Sequence, residues 1–89
     1  MIDISNKWVL VTGASRGLGR LMTEELARRG ANLILQASKE ENLNEIAKFA
    51  RNLGCEVVTV GCDLGSIEEV NKMLDKIDDY DIDVVYNNA

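Results

Sequence analysis

Eighty-nine residues make one small domain, able to bury about 60–65% of the surface its unfolded chain exposes. Of these residues 46% are hydrophobic and the formal charge is −5, which excludes a disordered chain and a basic binder of nucleic acid or membrane surfaces. No apolar run reaches the roughly 20 residues of a membrane span, and Met1–Lys7 lacks the architecture of a secretory signal. A cytoplasmic protein is expected.

Strand and helix periods alternate along the chain. Trp8-Val9-Leu10-Val11 is a continuous apolar run, the pattern of a parallel strand covered on both faces. After a glycine-rich segment, Leu18, Leu21, Met22 and Leu26 fall on one stripe of an amphipathic helix, which Gly30 should stop. Leu33-Ile34-Leu35 predicts a second strand. Ser38-Lys39-Glu40-Glu41 has the form of a capping box, opening a helix with Leu43, Ile46, Ala47, Ala50 and Leu53 on one face and Gly54 at its end. Val57–Val60 predicts a third strand. Cys55 and Cys62 bracket it, and seven steps of about 3.3 Å would hold them more than about 20 Å apart. A disulfide needs about 7 Å, so two buried free thiols are expected. With no histidine and no C-x-x-C, a zinc site is not expected. Ser66-Ile67-Glu68-Glu69 is a second capping box, leading a helix through Ile67, Val70, Met73, Leu74 and Ile77. Ile82–Tyr86 predicts the fourth strand.

The order βαβαβαβ predicts an α/β fold, the N-terminal portion of a Rossmann-type doubly wound parallel sheet with strand order 3-2-1-4 and right-handed crossovers. In that order a crevice opens at the carboxyl ends of strands 1 and 4. Thr12–Gly19, Ala37-Ser38, Asp63-Leu64 and Asn87-Asn88-Ala89 all follow strand ends on that side. Their convergence says more than any one of them.

The glycine segment reads Thr12-Gly13-Ala14-Ser15-Arg16-Gly17-Leu18-Gly19, a G-x-x-x-G-x-G spacing between strand and helix. The unpaired N–H groups and positive dipole end of the helix suit a pyrophosphate. Gly13 should leave the strand with φ > 0, Gly17 should clear space for phosphate, and Gly19 should let the helix pack closely. The spacing and the missing Lys-Ser/Thr set it apart from a P-loop. An ordinary strand-to-helix turn is the alternative reading. Taken singly, Asp63 also fits the start of a turn, and Asn87-Asn88 a strand end.

Thr12-Gly13-x-x-x-Gly17-x-Gly19, Asp63-Leu64 and Asn87-Asn88-Ala89 together resemble the short-chain dehydrogenase/reductase family over nearly the whole chain. The run Val11–Arg20 is most similar to 3-oxoacyl-acyl-carrier-protein reductases of fatty acid biosynthesis. The resemblance implies that residues 1–89 are the N-terminal NAD(P)-binding portion of a Rossmann domain. It implies a cofactor site of Gly13, Ser15, Arg16, Gly17, Leu18, Gly19, Ser38, Asp63, Leu64, Asn88 and Ala89. Asp63 would take the adenine amino group, Leu64 would lie beside the ring, and Asn88-Ala89 would face the ribose, with Asn87 tying neighbouring strands.

Members that use NAD carry an acid at the end of strand 2, which repels a 2′-phosphate. Here that position is Ala37, followed by Ser38 and Lys39. Arg16 stands where NADP-preferring members often carry a base, and a guanidinium takes phosphate bidentately. NADP(H) is the expected cofactor; a solvated loop arginine is the alternative. The family's reduction chemistry uses a Tyr-x-x-x-Lys pair with a serine. Tyr80 is followed four places on by Val84, and only three residues follow Tyr86, so neither is that tyrosine. The chain is therefore expected to be a piece of a longer reductase, with the catalytic half absent and no catalytic residue of its own. A non-catalytic dinucleotide-binding or assembly module is the alternative, and an S-adenosylmethionine methyltransferase fragment is less favoured. The dinucleotide is the expected partner. A homo-oligomer is also expected, joined through the bare edge of strand 82–86.

Overall fold

A computed structural model describes residues 3–88. The strands are β1 (Trp8–Val11), β2 (Asn32–Ala37), β3 (Val57–Gly61) and β4 (Ile82–Tyr86); the helices are α1 (Gly17–Arg28), α2 (Asn44–Asn52) and α3 (Ile67–Ile77). A 3₁₀ turn, Glu40–Leu43, leads into α2. All strand pairs are parallel, in the order β3-β2-β1-β4. This is the expected Rossmann-type arrangement.

Alternation along each strand explains why the apolar runs are continuous. Val9, Val11, Leu33 and Leu35 face one core with Ala27 of α1 and Ile46 and Ala50 of α2. Leu10, Ile34 and Val60 face the other, closed by Met73 and Ile77 of α3. Both faces of β1 and β2 are dry, so no polar alternation is left for them to show. The β1–β4 register shifts after Trp8, where Asp83 carboxylate oxygen accepts from the Trp8 N–H at 3.1 Å.

Three local expectations need correction. The buried face of α1 is Gly19, Thr23 and Ala27, while Leu18 and Leu21 are 60% and 63% exposed. At Gly19 the helix start lies against the glycine loop and leaves no room for a side chain, whereas Leu26 of the expected stripe packs partly buried against the core. Ser38 does not cap a helix. Lys39, not Ser38, precedes the 3₁₀ turn, which has no side-chain cap, and Glu40 within the turn accepts from the Thr59 hydroxyl at 2.8 Å. Leu53, Ile67 and Leu74 belong to the expected stripes of α2 and α3 yet are exposed.

The Ser66 box is half formed. Ser66 Oγ accepts from Glu69 N–H at 3.3 Å, whereas the Glu69 carboxylate accepts from the Asp63 N–H at 3.0 Å. That contact ties the start of α3 to the segment after β3. Among the described residues no helix is long and apolar enough to cross a membrane.

Candidate functional site

The four segments at the carboxyl ends of the strands do come together. They line a groove of about 560 Å³ formed by Gly13, Ser15–Leu18, Gln36–Ser38, Cys62–Leu64 and Asn88. Of the expected site residues, Gly13, Ser15, Arg16, Gly17, Leu18, Ser38, Asp63, Leu64 and Asn88 are all in that lining. Gly19 is buried beneath it, and Ala89 lies outside the described residues.

The glycines differ in what they permit. Gly13 turns the chain out of β1 at φ +63°. A Cβ on Gly19 would collide with the Gly13 carbonyl oxygen and sit 2.7 Å from Asn88 Nδ2. Gly19 therefore allows α1 to close on the loop and on the segment after β4, rather than on the sheet surface. A Cβ on Gly17 would meet nothing within 4 Å, so that position opens directly to the groove. Such an open cradle at a helix N-terminus, where the first N–H groups lack intrahelical acceptors, fits a phosphate group.

The strand ends are tied by polar side chains. Thr12 Oγ1 donates to Asn87 Oδ1 and accepts from Asn88 N–H, each at 2.9 Å. Asn88 Nδ2 donates to the Gly13 carbonyl at 3.4 Å. Asn87 thus links β4 to β1. Asp63 opens a tight turn, one carboxylate oxygen accepting from Gly65 N–H at 2.9 Å. The turn reading and the groove position hold together, since the same residue lines the groove.

Charge in the groove is sparse and directional. No carboxylate stands at the end of β2: Ala37 is buried and Ser38 is exposed. The nearest acid downstream, Glu40, is held by Thr59 and lines a different groove. Arg20, Arg28 and Arg29 pair with glutamates of α1, Arg20 also with Glu45, and Arg51 donates to the Val57 carbonyl. Among the described residues Arg16 has no such partner, so its guanidinium is available to a ligand. Cys62 is fully buried under the groove floor. Burial first, and then the carboxylates of Glu69 and Asp63, push its thiol above the ordinary value, so it stays neutral.

Gln36 escaped the pattern-based reading. It is 3% exposed and lines the groove. Its Oε1 accepts from Gly13 N–H at 2.9 Å and its Nε2 donates to the Cys62 carbonyl at 2.7 Å. The one polar residue inside the run Leu33–Ala37 was the available signal, because a buried carboxamide requires partners at both ends.

The short chain dehydrogenase family profile matches residues 7–89. The chain is 43% identical over 75 residues to 11-beta-hydroxysteroid dehydrogenase A of Sesamum indicum, covering 83% of this chain and 22% of that one. It is 36% identical over 84 residues to very-long-chain 3-oxoacyl-CoA reductase-B of Danio rerio, covering 93% and 27%. A metagenomic short-chain oxidoreductase in complex with NADP superposes with a TM-score of 0.89 at 29% identity, over 99% of this chain and 41% of that one. NAD+-bound xylitol dehydrogenase gives 0.89 at 31% identity, over 99% and 35%.

This chain belongs to the short-chain dehydrogenase/reductase family and corresponds to the family's N-terminal portion. The family binds a nicotinamide dinucleotide, with NADP in one structural neighbour and NAD+ in another. The chain spans about a quarter of the length of the two curated relatives.

Proposed function

We propose that the chain is the NADP(H)-binding segment of a short-chain oxidoreductase that, when whole, reduces a carbonyl substrate. One observation carries the cofactor choice: the unpaired Arg16 shares the groove with a β2 end that bears no carboxylate. Gly13, Gly17 and the start of α1 would hold the pyrophosphate, with Ser15 and Leu18 beside it and Gly19 keeping the helix close. Asp63 and Leu64 would hold adenine, and Ser38 with Asn88 and Ala89 would border the ribose. The bound cofactor supplies a hydride for a carbonyl carbon. The resemblance to 3-oxoacyl-acyl-carrier-protein reductases and the relative named a 3-oxoacyl-CoA reductase favour a 3-oxoacyl thioester as substrate. The hydroxysteroid relatives make a steroid the competing class.

Arg16→Ala tests the phosphate role. A hydrogen bond to a charged group contributes about 1.5–3 kcal/mol, so NADPH affinity should fall by roughly 10–150-fold at about 1.4 kcal/mol per decade. NADH affinity should hardly change, and Ala37→Asp should move preference toward NADH. Equal weakening of both cofactors, measured calorimetrically, would assign Arg16 to the loop or the pyrophosphate and remove the phosphate-selecting role.

Residues 1–89 hold no Tyr-x-x-x-Lys pair. Proton donation by a positioned acid contributes about 10²–10⁴-fold, so the purified 89-residue chain should not turn over NADPH with any carbonyl compound. Steady NADPH consumption free of contaminating reductase would overturn that expectation. The exposed Val84 and Val85 of β4 favour a second reading, a homo-oligomeric assembly module joined through the 82–86 edge. Dinucleotide binding and self-association, measured separately, discriminate the two.

A further inference from the structure

We propose that Gln36 is a positioning residue that sets the distance between the loop side and the adenine side of the groove. This inference rests on the dinucleotide reading above and deepens it. The Gln36 carboxamide joins two segments that share no backbone hydrogen bond among the described residues: Gly13, where the glycine loop begins, and Cys62, which leads into Asp63 and Leu64. The orientation of the amide is fixed by chemistry. Gly13 N–H can only donate and the Cys62 carbonyl can only accept, so Oε1 must face the loop and Nε2 must face the end of β3.

The backbone of β2 reinforces the same clamp. The Gln36 carbonyl accepts from Ala14 N–H at 2.9 Å, and the Ala37 carbonyl accepts from Cys62 N–H at 2.9 Å. Residues 36–37 therefore hold Gly13, Ala14 and Cys62 with four hydrogen bonds. Two of those bonds come from the one side chain. The first two N–H groups of the loop are spent on β2, so a pyrophosphate would be met by the amides from Ser15 onward. On the other side of Gly13, Asn88 holds the carbonyl. The loop enters the groove already fixed on both flanks.

A ligand that spans both ends gains from this fixed spacing, whereas a ligand that touches one end does not. Linked binding depends on the two subsites standing at the span the ligand presents. Loss of the clamp would let them drift and would weaken the spanning ligand selectively. A side chain that merely filled space would weaken every ligand alike through loss of the folded state.

The test compares NADPH with its separate ends, adenosine and inorganic pyrophosphate, on the full chain and on Gln36→Met, which keeps length but leaves Gly13 N–H and the Cys62 carbonyl unpaired. Gln36→Met should weaken NADPH by about tenfold or more, while adenosine and pyrophosphate each change by less than about twofold. Equal weakening of all three, or unchanged NADPH affinity, would overturn the inference. If the unsubstituted chain binds NADPH yet Gln36→Met binds it equally well, this inference alone fails. If the unsubstituted chain binds none of the three, the dinucleotide reading falls and takes this one with it. Should Gln36→Met not fold, the unsubstituted chain still decides by NMR. The Gly13 amide and the Gln36 Nε2 protons should exchange slowly with solvent before any ligand is added, and free exchange at either would overturn the clamp.

Discussion

The two edges of the sheet are finished to different degrees. At β3 two outward carbonyls are already occupied: Arg51 donates to the Val57 carbonyl at 2.9 Å and Lys76 donates to the Thr59 carbonyl at 2.7 Å. Thr59 also reaches Glu40 from the same strand, and the Glu40 backbone lies 3.0 Å from where a Gly61 Cβ would stand. Helices α2 and α3 and the 3₁₀ turn thus each lend something to close that edge. Among the described residues, β4 is paired only on its β1 side. Val84 and Val85 are successive residues, so they point to opposite faces, and they are 43% and 58% exposed. Charged side chains that cover outward backbone groups block strand addition, whereas an open apolar edge invites it. Further chain, or another copy, is therefore expected at β4 and not at β3.

The sharpest way to break this comparison is at Val85. If copies associate through β4, each interface buries the valine, and burial of such a side chain contributes about 1.5–3 kcal/mol. Val85→Lys should then weaken self-association by at least about tenfold. Sedimentation equilibrium on both chains would show a dimer or larger species for the unsubstituted protein and a monomer for the variant. A monomer in both cases, at concentrations used for crystallisation, would show that the open edge does not drive assembly.

The contrast between edges was only half legible in the sequence. The apolar run Ile82–Tyr86 announced a strand, and its place at the sheet border followed from the strand order. Closure of β3 was not legible, because Arg51 and Lys76 look like solvated ends of amphipathic helices until their carbonyl partners are placed. The same limit applies at the groove. Gly13, Arg16, Gly17, Asp63 and Asn88 stood out because glycine spacing and strand-end positions carry a signal. Gln36 carried only the oddity of one polar residue in a buried run. Periodicity also misplaced the start of α1, where Leu18 and Leu21 are exposed while Leu26 of the same stripe packs against the core, since it weighs side-chain hydrophobicity and the packing of Gly19 against Gly13 demands small size. The Ser38 box failed because the helix start lies elsewhere: a 3₁₀ turn begins at Glu40 after Lys39 and α2 begins only at Asn44, so Ser38 and Glu41 never stand at the N-cap and N3 positions of one α-helix.

A more modest effect is expected where the finished edge is opened. Arg51→Ala and Lys76→Ala each remove a donor from an outward β3 carbonyl that water can then reach. An exposed hydrogen bond of this kind contributes about 0.5–1.5 kcal/mol, so each variant should lose no more than that in urea denaturation. The double variant tests the comparison itself. With both carbonyls freed, β3 would become a second site of strand addition, and association should rise even in the Val85→Lys background. Unchanged association there would mean that the β3 edge is closed by its shape and its neighbours, not by these two side chains.

The smallest effect concerns the ends of β3, where Cys55 and Cys62 are both buried. Burial raises both thiols above the ordinary value of 9.0, and for Cys62 the carboxylates of Glu69 and Asp63 add to it. The sign follows from proton counting. Above about pH 9 the unfolded chain releases its thiol protons while the folded chain still holds them, so the unfolded state binds fewer protons. Stability then falls as pH rises through that window. Below it, the contribution is fully present. Denaturation followed from neutral pH to about pH 10 should show this decline, and Cys55→Ala/Cys62→Ala should flatten it. Both thiols lie on the β3 side, so their ionisation should loosen the closed edge and leave association through β4 unaltered. If the double alanine variant declines as steeply as the unsubstituted chain, some other group sets the alkaline limit, and the thiols serve only as apolar filling at the two ends of the strand.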